Sequence, residues 1–129
     1  WADSQLIGEV WTALFPYYDV KTGKKNFKGR PVLIIAKADT GDYVTLPVSK
    51  VSRQENVDPI YDIKVDPAVY PVLGFPYVSY VRTHKQTIVH AADLCNKKSD
   101  LKSSYQELYL EILTKREQFS EEITRQALL

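Results

Sequence analysis

Gly29-Arg30-Pro31-Val32-Leu33-Ile34-Ile35 decides how this chain is read. Proline fixes its own φ and drives the residue before it into an extended conformation, so Pro31 holds Arg30 rigidly at the mouth of a strand. The apolar run from Val32 to Ala38 suits a strand buried on both faces. Working outward, Gly8-Glu9-Val10-Trp11 belongs to an earlier strand, Ile7 to Phe15, that ends at Pro16. Asp39-Thr40-Gly41-Asp42 reads as a hairpin turn into a third strand, Tyr43 to Val48, followed by the hydroxyl of Ser49. Between the first two strands, Tyr17 to Lys28 reads as a mobile, lysine-rich loop centred on Thr22-Gly23.

Further along, Ile60 to Val65 alternates as a strand with one wet face, and Tyr77 to Arg82 is another strand. Thr83-His84-Lys85-Gln86 then reads as a hairpin turn into Thr87 to His90. Asp66-Pro67 and Tyr70-Pro71 bracket an extended linker, and Ala91 to Cys95 reads as a short helix with a semi-buried thiol. Five or six short, mostly antiparallel strands punctuated by seven prolines predict a small curved sheet or SH3-like barrel. The end of the chain is helical. Ser104-Tyr105-Gln106-Glu107 reads as a capping box. Leu101, Tyr105, Leu108, Ile112, Phe119 and Ile123 form one stripe of a long amphipathic helix, which can pack on the sheet or dock a partner. Ser120-Glu121-Glu122 offers an alternative start for a separate last turn. We expect one domain over residues 1–129, with a β-barrel core at 8–94 and a C-terminal helical extension at 99–129.

Composition narrows the classes. The 129 residues are 44% hydrophobic and 26% charged, ordinary values for a globular protein large enough to bury a core without staples. No apolar run approaches the roughly 18 residues of a membrane span, and no basic-then-apolar leader opens the chain. The chain starts at Trp1 and holds no methionine, so we expect an initiator or leading segment to have been removed. A lone cysteine, Cys95, forms no intrachain disulfide and points to a reducing, cytoplasmic setting. With only His84 and His90 as histidines and no acidic cluster at metal-ligand spacing, no metal is expected.

The net charge of +1 hides a local asymmetry. Lys21, Lys24, Lys25, Lys28 and Arg30 fall within ten residues that contain no acid, which makes either an anion-facing surface or a solvated loop. Arg30 offers an always-charged, five-donor fork suited to a phosphate. With the Ser49 hydroxyl and flanking lysines it can bind a phosphodiester and stabilise charge on it without metal. Plainer roles stand beside these. Arg30 could bridge to Asp19, Ser49 could be a turn residue, and Arg82 and His84 could be solvated. Trp11 and Phe15 could be core, although Phe15 lies at the loop edge where a base could stack.

The pattern G-x-V-W, a loop, G-R-P-V-L-I-I and a strand ending in Pro47-Val48-Ser49 resembles the MazF/PemK toxins of bacterial toxin–antitoxin systems. The resemblance covers residues 8–94; the longer tail departs from the usual short family ending. It implies that Arg30 and Ser49, the latter in place of a family threonine, are catalytic. It further implies metal-independent, sequence-selective cleavage of single-stranded RNA, in which the substrate's 2′-hydroxyl attacks the adjacent phosphate and leaves a 2′,3′-cyclic phosphate. Arg82 and Thr83 match a later family segment, but its acid is Ser79 here, and His84 is the candidate to supply acid–base chemistry instead. Lys24, Lys25, Lys28, Phe15, Arg82, Thr83 and His84 are the expected RNA-binding residues. A homodimer, an antitoxin partner, and no cofactor or membrane are implied as well. Two other functions compete. One is a catalytically impaired regulator that binds nucleic acid or protein, favoured by Ser79 and the long tail. The other is a gyrase poison, which would need neither Arg30 nor Ser49.

Overall fold

The computed structural model describes residues 6–129; the first five, including Trp1 and the start of the expected domain, lie outside the described residues. The chain forms a curled antiparallel half-barrel followed by a C-terminal helix. The strands are β1 (Glu9–Asp19), β2 (Lys24–Asp39), β3 (Asp42–Ser49), β4 (Asp62–Val65), β5 (Ser79–Arg82), β6 (Thr87–His90) and β7 (Leu94–Asp100). They lie in the order β4-β5-β3-β2-β1-β7, with β6 also paired to β3. Two helices follow, α1 (Leu101–Ser104) and α2 (Gln106–Ala127). No helix of the described residues is long and apolar enough to cross a membrane.

The decisive stretch behaves as its residues dictate. Val32, Leu33 and Ile34 are fully buried in the middle of β2, which pairs with β1 on one side and β3 on the other. Thr40-Gly41 makes the two-residue turn into β3, and Gly41, the second of the pair, has φ +77°, a left-handed backbone that favours glycine at this position of a turn. Gly8 answers a different demand. Its amide donates to the Ile34 carbonyl (2.7 Å), its carbonyl accepts from the Lys102 amide (3.0 Å), and a Cβ would stand 2.3 Å from Lys102 Cβ. Only glycine lets the start of the sheet lie this close to α1.

Strand alternation divides the sheet into two faces. One carries Val10, Leu33, Leu46, Val48 and Val81, and against these α1 and α2 bury Leu101, Leu108, Tyr109 and Ile112. Such side chains contribute about 1.5–3 kcal/mol each, and they secure a helix that would be marginal in isolation. Past Ile112 the stripe emerges: Phe119 is half-buried and Ile123 exposed. The other face holds a smaller cluster of Ala13, Val32 and Val89, joined by Phe15 and Leu94.

Five local expectations are corrected. The lysine-rich loop is a paired ribbon: β1 and β2 keep one unbroken register from Val10↔Leu33 to Asp19↔Lys24, leaving only Val20–Gly23 as the turn. Pro16 does not end β1, because β7 pairs only with Glu9–Ala13 and beyond it one edge of β1 is free, where proline is tolerated. Thr83–Gln86 is a corner and not a hairpin: β5 pairs with β3 at Val48 and Ser49, whereas β6 pairs with it at Asp42–Thr45. Ala91–Asp93 makes a single 3₁₀ turn, capped by His90 Nδ1 accepting the Ala92 amide (3.0 Å), and an exposed Cys95 follows in β7. Asp100, not Ser104, caps the first helix, its Oδ1 accepting from the Ser103 amide (3.0 Å), and α2 then runs unbroken through Ser120.

Candidate nucleic-acid interface

Arg30 lies opposite the fully buried Ala13, one residue before Pro31 and two before buried Val32, at the point where the β1–β2 ribbon leaves the core. Its backbone is thereby fixed while its side chain is exposed. No ion pair or hydrogen bond holds its guanidinium among the described residues, and Asp19 is no partner for it. Asp19 sits at the far end of the ribbon, about 20 Å away at six ladder steps, accepting from the Lys21 amide (2.9 Å).

Ser49 ends β3, opposite Tyr80 of β5, and the ammonium of Lys50 rests 4.2 Å from the Tyr77 ring centre. Arg30, Val32, Pro47 and Ser49 share one sheet face, because Val32 pairs with Pro47 and side chains alternate along each strand. On that face is an open cleft of about 340 Å³ lined by Phe15, Pro16, Arg30, Pro47, Ser49, Lys85 and Thr87. Three of the expected residues, Arg30, Ser49 and Phe15, thus meet. Lys85 and Thr87 were not expected. They arrive because β6 pairs with β3, Thr87 opposite Thr45, with the Thr45 hydroxyl donating to the Thr87 carbonyl (3.1 Å). Nothing near them in the sequence announces that pairing.

The lysines divide by parity. Lys28 pairs with Phe15 and Lys24 with Asp19, so both share the face of Arg30, whereas Lys25, paired with Tyr18, falls on the opposite face. Arg82, Thr83 and His84 do not line the cleft. Arg82 grips Asp62 with two prongs, Nε to Oδ1 at 3.1 Å and Nη2 to Oδ2 at 3.2 Å, and also donates to the Asn56 carbonyl (3.1 Å). The Thr83 hydroxyl donates to the Tyr61 carbonyl (2.6 Å) in a buried site. His84 stands 3.7 Å from Asp62, packs near Tyr61 and Phe119, and borders a separate 270 Å³ cavity with Arg116 and Ser120. Ser79 is buried, donating to the Tyr77 carbonyl (3.1 Å), so it too is absent from the cleft.

The cleft therefore presents two cations, two hydroxyls and an aromatic ring, and no carboxylate or imidazole among its lining residues. That set suits a phosphodiester: the guanidinium and ammonium neutralise charge, the hydroxyls donate to phosphate oxygens, and the ring can accept a base. The same donors favour a crowded, doubly charged phosphorane over its precursor.

Fold and cleft together define a small half-barrel domain with a cationic, hydroxyl-bearing cleft on its helix-free face. No protein-family model matches the chain, and no curated protein matches it by sequence. Among solved structures it is similar to the Mycobacterium tuberculosis toxin MazF-mt6, with a TM-score of 0.55 and 18% identity over 84% of this chain and 94% of that one. At that identity the likeness is one of fold, and the fold is MazF-like.

Proposed function

We propose that this chain is a metal-independent endoribonuclease toxin of a toxin–antitoxin system, cutting single-stranded RNA at a restricted set of sequences in the Arg30–Ser49 cleft. The observation that carries the reading is the unpaired Arg30 guanidinium, fixed by Pro31 and sharing a cleft with Ser49. In the proposed step the substrate's 2′-oxygen bonds to the adjacent phosphorus and the bond from phosphorus to the 5′-oxygen breaks. The products are a 2′,3′-cyclic phosphate and a 5′-hydroxyl. Arg30 and Lys85 hold the charge that builds on the equatorial oxygens, and Ser49 and Thr87 orient them. A guanidinium is always protonated and a hydroxyl takes up no proton at neutral pH, so in this reading water carries the 2′-proton away and supplies one to the leaving oxygen. The MazF/PemK resemblance adds a homodimer and an acidic antitoxin partner, both testable by light scattering with and without the product of a neighbouring small gene.

A second reading is favoured by one feature, the lack of any carboxylate or imidazole among the residues lining the cleft. On that reading the domain binds RNA as a regulator without turnover. Incubation with a long single-stranded RNA separates the two. Cutting at a limited set of sites by the native protein, and none by Arg30→Ala, supports the toxin; RNA bound but left whole supports the regulator.

A further inference from the structure

Past Ile112 the face of α2 is continued by Arg116, Phe119, Ser120 and Ile123, spaced at steps of three and four and so aligned on one side of the helix. Between this face and the β5–β6 corner lies the cavity of about 270 Å³. The corner divides its side chains: Lys85 and Thr87 go to the Arg30 cleft, whereas His84 and Gln86 go to the cavity. Arg116 Nε donates to Gln86 Oε1 (2.9 Å), which fixes the guanidinium at the cavity wall. Glu117, 3.7 Å from Arg116 Nη1, is exposed and lies outside the lining, and no carboxylate lines the cavity among the described residues. His84 arrives with its bonding capacity unspent. Its side chain is only 15% exposed, and its buried Nδ1 has no hydrogen-bond partner, the Asp62 carboxylate standing 3.7 Å away. Buried polar atoms are rarely left so, and such an orphan marks a place that another group completes. With Nδ1 turned to Asp62, Nε2 is left for the cavity.

We propose that this cavity binds a small carboxylate with a short apolar body, its head on Arg116, His84 and Ser120 and its body against Phe119 and Ile123. The site is separate from the Arg30 cleft and does not depend on how that cleft is read. Charge selects the head. One guanidinium balances a monoanion, and its planar fork matches the two oxygens of a carboxylate. A phosphate monoester would bring more charge than one guanidinium offsets. The apolar residues select the body, since a bare anion would leave Phe119 and Ile123 without a partner. Size sets the limit. The volume falls just below the range of about 300–1,000 Å³ that takes drug-sized ligands, so the occupant is a smaller molecule. Because Gln86 already holds the guanidinium, little side-chain freedom is lost when the head arrives.

The test is an NMR titration of the full chain with sodium benzoate at constant ionic strength, following the resonances of His84, Arg116 and Ser120. These should shift and saturate with a dissociation constant on the order of 10 mM or tighter, the value that ordinary efficiency gives a ligand of about nine non-hydrogen atoms. Benzamide, of the same shape but uncharged, should bind at least about tenfold more weakly, and Arg116→Gln should weaken benzoate by a similar factor. Arg30→Ala, in the separate cleft, should leave benzoate binding within about twofold of the native value. The same spectra show that each variant is folded. No saturable shift at these residues, equal binding of benzoate and benzamide, tighter binding of inorganic phosphate than of benzoate, or loss of binding in Arg30→Ala would each overturn the proposal. All four results leave the reading of the Arg30–Ser49 cleft to its own test.

Discussion

Arg82 and Asp62 are locked together across β5 and β4, the guanidinium meeting both carboxylate oxygens at 3.1 and 3.2 Å, and the Asp62 side chain is wholly buried. The pair fastens the β4 edge of the half-barrel and keeps the Arg82 guanidinium out of the Arg30–Ser49 cleft, where the MazF/PemK resemblance leads one to expect it. Arg82→Ala would strand a buried carboxylate, so it should lower stability by about 3–5 kcal/mol, the penalty of uncovering one half of a buried pair. Urea unfolding measures this. At temperatures where the variant is folded, its affinity for single-stranded RNA should match that of the native protein.

Asp58, nearby, gives stability a pH signature. Its carboxyl is held below its ordinary value of 3.8, first by the Tyr61 amide, against the opposing effect of partial burial, and then by the Ile60 amide and the positive charges of His84 and Arg82. Both amides donate to Asp58 Oδ1 at 2.9 Å. A folded-state pKa below the unfolded one stabilises above the unfolded value, and that contribution is lost as the pH falls below 3.8 through the folded value. Asp58→Asn keeps an acceptor oxygen but not the titration. Its stability should therefore fall less steeply than that of the native protein below about pH 4; identical slopes would show that Asp58 does not contribute.

Along α2 the cost of truncation should follow burial. Ile112 is fully buried between helix and sheet, so Ile112→Ala should cost about 2–5 kcal/mol. Ile123 is half exposed, and Ile123→Ala should stay within about 0.5 kcal/mol. Urea midpoints at constant m-value check the pair, and comparable losses at both sites would mean that the end of the helix is packed against something further.

Much of the fold was legible because period and punctuation agree. The run from Val32 and the Gly41 turn mark β2 and β3, and the stripe from Leu101 marks the helical end. The ribbon was misread because Gly, Pro and lysine usually signal a loop. Here a free strand edge tolerates Pro16, and the cross-strand pairing of Phe15 with Lys28 extends the hairpin outward. Arg30 and Ser49 could be singled out because Pro31 and the strand end fix them locally. The fate of Arg82 could not, since its partner Asp62 lies twenty residues earlier and only the pairing of β4 with β5 unites them. Lys85 and Thr87 were hidden for the same reason: a corner, invisible in local sequence, delivers them to the cleft.

The cleft's donor set also bears on metal dependence. Arginine, lysine, serine and threonine, with Phe15 and two prolines, offer no carboxylate or imidazole to ligate a divalent cation. Chelators should therefore leave both the affinity for RNA and the cutting rate unchanged, as titration of EDTA into a cleavage assay would measure.

The most direct measurement is the chemistry of the ends left on a single-stranded RNA treated with the purified protein in EDTA. Fragments ending in a 2′,3′-cyclic phosphate and a 5′-hydroxyl, formed by the native protein and absent with Arg30→Ala, are the expected result. Fragments ending in a 3′-hydroxyl, or RNA that is bound and left whole, would contradict it.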